Sequence, residues 1–150
     1  MSKQQFTYDY PRPCVTADVV VVTKEARPRV LLIRRKNPPF VGTWALPGGF
    51  IEMDETLEAS ARRELMEETG VRPGKLVQLA TFGDPRRDPR HRTISVVYFG
   101  QVNPKQVMPF AADDAAAVGW FALHRPPALA FDHRRILVCT RAYLRRRTRG

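Results

Sequence analysis

Three glutamates, Glu64, Glu67 and Glu68, stand at i, i+3 and i+4 of a segment with helical periodicity, so their carboxylates share one patch of helix surface. Like charges at this spacing destabilise a helix by about 0.2–0.5 kcal/mol per pair unless something positive lies between them. We expect Arg62 and Arg63 to point elsewhere around the helix, so they cannot neutralise all three glutamates. Carboxylate oxygens without a nearby histidine or thiolate are typical ligands of hard cations. The spacing therefore predicts a site for Mg²⁺ or Mn²⁺.

A turn without side chains leads into this segment. The stretch "TWAL", Thr43 to Leu46, is apolar and strand-like, and Pro47, Gly48 and Gly49 follow it. Glycines let backbone groups approach a ligand closely, and the end of a strand is where α/β proteins usually handle ligands. A glutamate-rich helix is more often a solvated surface, but the turn favours the metal site over that alternative.

The glutamate segment carries the start and end signals of a helix from Thr56 to Thr69. Thr56 is a suitable N-cap, and Gly70 is expected to end the helix in the left-handed conformation. An apolar stripe at four-residue spacing is expected to pack on a sheet, and its members are Leu57, Ala61 and Leu65.

The fixed residues of this region resemble the complete Nudix signature. In chain order they are Gly49, Glu55, Arg63, Glu64, Leu65, Glu67, Glu68, Gly70 and Val71, at the intervals that the signature requires. The match covers 23 residues and agrees at every fixed position, which makes it more specific than a short motif. The resemblance implies an α/β fold, the Nudix-type α/β/α sandwich, in which helices flank a mixed sheet and a loop-helix-loop motif is catalytic.

The resemblance also implies an activity and a set of site residues. Nudix enzymes hydrolyse a nucleoside diphosphate linked to another group, and they use Mg²⁺ or Mn²⁺. The implied metal ligands are Glu64, Glu67, Glu68 and the backbone of Gly48 and Gly49. Glu55 and Arg63 are the implied supporting pair, in which Arg63 ties the helix to its entry loop. Metal-activated water needs positioning and charge neutralisation from the protein, and no covalent nucleophile.

Segments outside the signature resemble the ADP-ribose pyrophosphatase branch of the family, which implies hydrolysis of ADP-ribose to AMP and ribose 5-phosphate. These segments are PPFVGTWALPGGF, FGDPRRDPRHRTISVVYF and LAFDHRRIL. The basic loop from Asp84 to Arg92 is expected to overhang the cleft, with a solvated hairpin loop as the alternative. The candidate substrate-binding residues are Arg34, Phe82, Arg86, Arg87, Arg90 and Arg92, with Tyr98 as a second candidate beside Phe82 for contact with a base.

One departure from the family concerns a late carboxylate. Many relatives use a further glutamate on a later loop as a ligand or base, and this sequence has no glutamate after Glu68. Asp113 and Asp114 are the best substitutes and join the candidate substrate-binding residues, although their side chains are shorter. Otherwise Glu64 is the expected activator of the attacking water.

Three other functions stay open. One is a sanitising hydrolase of noncanonical nucleoside triphosphates. Another is a non-catalytic Nudix module that senses ADP-ribose. Such regulators usually carry an added winged-helix domain, for which we expect no room after Trp120, and their signatures are often eroded. Removal of RNA caps is favoured only by the net charge of +10.

The remaining sequence predicts the elements that must hold this site. Runs of β-branched and aromatic residues indicate strands at 15–23, 29–35, 75–83, 92–102 and 116–123. A second helix is predicted from about His133 to Arg146, with Asp132 as its N-cap. Trp44 and Trp120 are expected to pack in the core.

Composition indicates one domain over residues 1–150, with flexible ends at about 1–12 and 146–150. The positive charge suits a polyanionic small substrate, and nucleic acid is not the expected partner because a basic tail is usually solvated. No apolar run reaches membrane-spanning length, and the two cysteines do not form a disulfide framework, so we expect a cytoplasmic protein. Related ADP-ribose enzymes are often dimers, which suggests a homodimer.

Overall fold

A mixed sheet with one helix on each face forms the structure of this chain, a computed structural model that describes residues 4–112 and 115–150. The strands are β1 (Cys14–Thr23), β2 (Arg29–Arg35), β3 (Trp44–Ala45), β4 (Gly48–Phe50), β5 (Val77–Phe82), β6 (Thr93–Val102) and β7 (Ala115–Ala122). The helices are α1 (Leu57–Thr69) and α2 (His133–Arg147). The predicted α/β/α sandwich is confirmed.

Strand β1 supplies the centre of both cores. Val19 and Val21 pack in the apolar cluster that contains Leu65 of α1, whereas Val20 and Val22 pack in the cluster that contains Ile136 of α2. Successive side chains of a strand point to opposite faces of the sheet, so this valine run is buried on both sides.

The two edges of β1 are used differently, and this creates an opening in the sheet. Strand β6 pairs with β1 in parallel along the whole length of β1. On the other edge, β4 pairs with residues 16–18 of β1 and β2 pairs at Val22. The edge is therefore shared between two strands, and the space between β2 and β4 leads to the buried middle of β1.

The helix signals of α1 are confirmed. The Thr56 side chain accepts a hydrogen bond of 3.1 Å from the Ala59 amide, and Gly70 ends the helix with φ 72°. Ala61 and Leu65 are fully buried against the sheet. No helix in the described part of the chain has the length and apolarity to cross a membrane.

Two local predictions differ from the structure, whereas the two tryptophans pack against the core as expected. The strand expected at "TWAL" is only the two residues of β3, and the glycines that follow form strand β4 because β1 offers them an open edge. Helix α2 continues through Arg147, so the first two residues of the predicted flexible tail are helical. Trp44 and Trp120 are partly buried and pack against the two apolar clusters. Asp113 and Asp114 lie outside the described residues.

Asp132 occupies the predicted N-cap position of α2, but its side chain makes no capping hydrogen bond. Its two carboxylate oxygens instead accept from Arg87, at 3.0 Å from Nε and 2.6 Å from Nη2. The Arg87 side chain is 4% exposed and that of Asp132 is 11% exposed. This buried pair ties the loop between β5 and β6 to the start of α2.

Removal of Arg87 is expected to destabilise the protein strongly, because the buried Asp132 carboxylate would lose its charged partner. Arg87→Ala should lower the free energy of unfolding by about 3 kcal/mol or more in urea denaturation. The neighbouring Arg86 is exposed, so Arg86→Ala should change that free energy by less than about 0.5 kcal/mol. Equal, small effects of the two substitutions would contradict this account.

Candidate active site

A cavity of about 380 Å³ opens where β2 and β4 part on the edge of β1. Charged side chains of both signs line it. The acidic ones are Asp18, Glu52, Glu64, Glu68 and Asp88, and the basic ones are Arg35, Lys36, Arg87 and Arg90. We call Asp18, Glu64 and Glu68 the acidic group, and Arg35 and Arg90 the arginine group.

The acidic group closes around the two glycines of β4. A methyl group at Gly49 would lie 2.6 Å from the Glu64 carboxylate, and one at Gly48 would collide with Oδ1 of Asp18. The Gly48 amide also points towards Oε2 of Glu68, at a long distance of 3.4 Å. Carboxylates from β1 and α1 therefore approach each other around Gly48 and Gly49, which have no side chains to separate them.

Arg63 holds the outer side of this group. Its Nε donates to Oε1 of Glu55 at 2.7 Å, and its Nη1 donates to Oε1 of Glu64 at 2.9 Å and to Oε2 of Glu67 at 3.2 Å. Its Nη2 reaches the Phe50 carbonyl oxygen at 3.4 Å. The expectation that Arg63 points away from the glutamates is wrong, because its long side chain turns back along the helix. It still does not contact Glu68.

Hydrogen bonding and burial set the charge states of these carboxylates. Burial, followed by the nearby Glu64 carboxylate, raises the pKa of Glu68 to about 9. Burial also raises the pKa of Glu64, against the opposing effect of Arg63. The hydrogen bond from Arg63 lowers the pKa of Glu55. The buried carboxylates of Glu64 and Glu68 thus lack enough compensating positive charge, whereas Arg63 compensates the carboxylate of Glu55.

The acidic group suits a hard divalent cation because its side-chain donors are carboxylate oxygens. No group of three or more His, Cys, Asp or Glu side chains within residues 4–112 and 115–150 is already spaced to hold an ion. The carboxylates surround the glycines without meeting at one point, since Arg63 holds both Glu64 and Glu67. Glu67 is also half exposed. The feature that fits a cation is the pair of buried carboxyl groups of Glu64 and Glu68, whose ionised forms lack compensating positive charge.

The arginine group surrounds an aromatic ring beside the acidic group. The guanidinium carbon of Arg35 lies 5.0 Å from the centroid of Phe131, and that of Arg90 lies 5.5 Å from it. Arg90 pairs with Asp88 at 2.9 Å, whereas Arg35 donates to the Pro39 carbonyl oxygen at 2.7 Å. Burial and the neighbouring Arg90 lower the pKa of Arg35. None of the ion pairs described for this structure involves Arg35.

His133 connects the start of α2 to the glycine strand. Its Nδ1 accepts a 3.0 Å hydrogen bond from the amide of Leu46, two residues before Gly48. The imidazole is buried, and burial lowers its pKa, so it stays neutral and keeps Nδ1 as an acceptor. His133 thus fixes the backbone that enters the site.

Among the candidate substrate-binding residues, only Arg90 and Arg87 line the cavity, and the Arg87 guanidinium is bound to Asp132. Arg86, Arg92 and Arg34 are exposed and lie outside the cavity lining. Phe82 packs in the core beneath α2, and Tyr98 is buried in the core beneath α1. These placements correct the sequence prediction. The candidates Asp113 and Asp114 fall outside the described residues.

Five charged residues of the cavity were not predicted as site residues, and they are Asp18, Arg35, Lys36, Glu52 and Asp88. Arg35, rather than its neighbour Arg34, faces the site, and nothing in the local pattern distinguishes the two because both end the same strand. Asp18 is the only carboxylate within the apolar run of β1, and that isolation was a signal that could have identified it. A buried acid in such a strand needs a partner or a function.

Comparisons with known proteins agree with this geometry. The sequence model of the NUDIX domain matches residues 12–138. An ADP-ribose pyrophosphatase from Methanocaldococcus jannaschii is 42% identical over 128 residues, which are 85% of this chain and 73% of that protein. An ADPR-responsive transcriptional repressor from Acinetobacter baylyi is 37% identical over 146 residues, which are 94% of this chain and 58% of the repressor.

One solved structure is similar to this chain over nearly the whole length of both proteins. It is the NUDIX domain of Shewanella oneidensis NrtR in a cocrystal with ADP-ribose. It has a TM-score of 0.81 and 34% identity, with 91% of this chain and 94% of that chain covered.

Replacement of Glu68 by glutamine should stabilise the protein in the absence of divalent cations. The change removes a buried carboxyl group whose ionisation is opposed by burial and by the neighbouring Glu64, and it keeps the size of the side chain and an oxygen for the Gly48 amide. We expect Glu68→Gln to raise the Tm in EDTA, by about 2–4 °C per kcal/mol of relieved repulsion, and to weaken the rise caused by Mg²⁺. Thermal unfolding with and without Mg²⁺ measures both effects.

The matched control is Glu67→Gln, which removes a half-exposed charge from the same helix and should change the Tm in EDTA much less. A lower Tm of Glu68→Gln in EDTA would show that the Glu68 carboxylate is not destabilising.

Proposed function

The chain belongs to the NUDIX domain family and is a pyrophosphohydrolase of that family, and we propose that it hydrolyses ADP-ribose to AMP and ribose 5-phosphate with Mg²⁺ or Mn²⁺. The observation that carries this proposal is the single cavity in which buried carboxylates stand beside arginines. A diphosphate with its cation needs both kinds of charge at close range.

The acidic side of the cavity supplies the proposed metal ligands. They are the carboxylates of Glu64, Glu67 and Glu68, with the backbone of Gly48 and Gly49. When bound, the cation neutralises the diphosphate and lowers the pKa of a coordinated water. Arg63 and Glu55 hold the outer carboxylates in place, and Arg63 also contacts the Phe50 carbonyl of the entry strand.

Arg35 and Arg90 are the proposed contacts for the phosphate oxygens. Both guanidinium groups line the cavity, and both lie against the Phe131 ring, which limits their motion. A guanidinium group forms paired hydrogen bonds to phosphate oxygens. Arg35 is the stronger contact of the two because Arg90 already shares its charge with Asp88.

Glu64 is the proposed acceptor of the proton from the attacking water. Its carboxylate faces Gly49 inside the cavity, and burial raises its pKa above the ordinary value, which makes it a stronger base than a solvated carboxylate. Asp113 and Asp114, which lie outside the described residues, remain proposed contributors.

Sensing of ADP-ribose without hydrolysis is a second candidate function. The repressor from A. baylyi and the ADP-ribose cocrystal favour it, since a NUDIX domain similar to this chain binds ADP-ribose in a transcriptional regulator. The complete signature of this chain favours hydrolysis, because all its carboxylates are retained.

A substrate panel separates these functions. The purified protein is incubated with Mg²⁺ and with ADP-ribose, NADH, dinucleoside polyphosphates or noncanonical dNTPs, and the products are resolved by chromatography. We expect AMP and ribose 5-phosphate from ADP-ribose, faster than turnover of any triphosphate, and no product in EDTA. Faster triphosphate turnover would favour the sanitising role. Tight ADP-ribose binding without hydrolysis of any diphosphate would identify a sensor.

Arg35 and Arg34 form a matched pair for testing the phosphate contact. Arg35→Met should lower kcat/KM for ADP-ribose by about 10- to 100-fold, since a charged hydrogen bond contributes roughly 1.5–3 kcal/mol. Arg34→Met should leave kcat/KM within about twofold, because a solvated surface charge contributes little. A greater loss in Arg34→Met than in Arg35→Met would refute the assignment.

A further inference from the structure

Asp18 is a buried carboxylate in the middle of the central strand. It is 7% exposed, and the residues that follow it, Val19 to Val22, are fully buried. A charge at such a position costs several kcal/mol in desolvation unless partners compensate for it. The ion pairs of the described residues do not include Asp18.

The two oxygens of Asp18 have different environments. Oδ2 accepts hydrogen bonds from two hydroxyl groups, from Thr16 at 3.0 Å and from Ser95 on the neighbouring strand β6. Oδ1 accepts no hydrogen bond from any residue in the ranges 4–112 and 115–150 and lies against Gly48, in the cavity wall. One oxygen is anchored, and the anchoring turns the other towards the site.

A purely structural role explains only half of this arrangement. An asparagine at position 18 could accept the same two hydroxyl hydrogen bonds through its carbonyl oxygen without the cost of a buried charge. The negative charge and the second oxygen are needed only if something positive binds at Oδ1. The positive charge that acts on Asp18 is that of Arg35, and it acts on Glu68 as well. His133 adds no positive charge because its buried imidazole is neutral.

The position of Oδ1 relates it to the other carboxylates. Gly48 touches Oδ1 on one side and directs its amide to Glu68 on the other, while Gly49 touches Glu64. The charge of Asp18 acts on both glutamates and raises the pKa of each. Asp18 thus approaches the same two glycines as the two buried glutamates, but from the sheet instead of the helix.

We propose that Asp18 is a further ligand of the divalent cation, supplying an oxygen from β1 beside Glu64 and Glu68. The inference rests on the proposed cation dependence of the enzyme. It places one ligand on the central strand of the sheet, held by two hydroxyl groups, whereas Glu64 is held by Arg63 and Glu68 by a backbone amide.

Mn²⁺ binding to the metal-free protein tests this assignment without reference to turnover. Free Mn²⁺ is counted by electron paramagnetic resonance for the wild type, Asp18→Asn and Glu52→Gln. Asp18→Asn should raise the Kd for Mn²⁺ by about tenfold or more, the usual scale for altering a group that holds a metal. Glu52→Gln removes an exposed charge from the same cavity and should raise the Kd by at most about threefold, because solvent and salt screen it.

Two results would overturn the proposal. One is a Kd of Asp18→Asn within about threefold of the wild type, measured at equal ionic strength. The other is an equal loss of affinity in Glu52→Gln, which would mean that net charge matters and ligand position does not. If Asp18→Asn does not fold, Ser95→Ala replaces it. This variant keeps the carboxylate but removes one of its anchors, so Mn²⁺ affinity should fall severalfold, and wild-type affinity would overturn the proposal.

These measurements distinguish failure of the role proposed for Asp18 from failure of the proposed function. A wild-type protein that neither binds Mn²⁺ nor hydrolyses a diphosphate would refute the function itself. A wild type that does both, with Asp18→Asn binding Mn²⁺ equally well, would refute only the role of Asp18.

Discussion

Carboxylates from the sheet and from a helix crowd around two glycines that have no space for a side chain, and the site depends on that contact. Gly48 lies against Asp18 and directs its amide to Glu68, while Gly49 lies against Glu64. Any larger residue would separate these groups or displace the strand. The resulting cluster is costly to bury, and its negative charge is what prepares the cavity for a cation.

The rest of the fold keeps this contact in place from three directions. The edge of β1 is divided between β4 and β2, which opens the cavity and holds the glycines in register with Asp18. Arg63 fastens α1 to the entry strand, and the imidazole of His133 fixes the backbone at Leu46. The Arg87–Asp132 pair secures the start of α2, which carries that imidazole. The contacts of His133 and of the Arg87–Asp132 pair are buried or partly buried, so both also contribute to stability.

The sequence predicted what local patterns determine. Thr56 and Gly70 delimited α1, and the run of β-branched residues indicated β1, because caps and strand propensity act over a few residues. Partners far apart in sequence were not predictable. Arg87 meets Asp132, which is 45 positions away, and the choice between Arg34 and Arg35 depends on which face of β2 borders the cavity. The acidic residue at position 18 was visible, but its meaning required knowing that β4 lies beside it.

The central claim is that the glycines of β4 gather the buried carboxylates into a cation site. Anomalous diffraction from crystals soaked in Mn²⁺ tests it most directly, since manganese is located independently of the protein. The account predicts an anomalous peak inside the cavity, in coordination contact with Glu64 and Glu68 beside Gly48 and Gly49. A peak found only outside the cavity, at a Mn²⁺ concentration that supports hydrolysis, would contradict it.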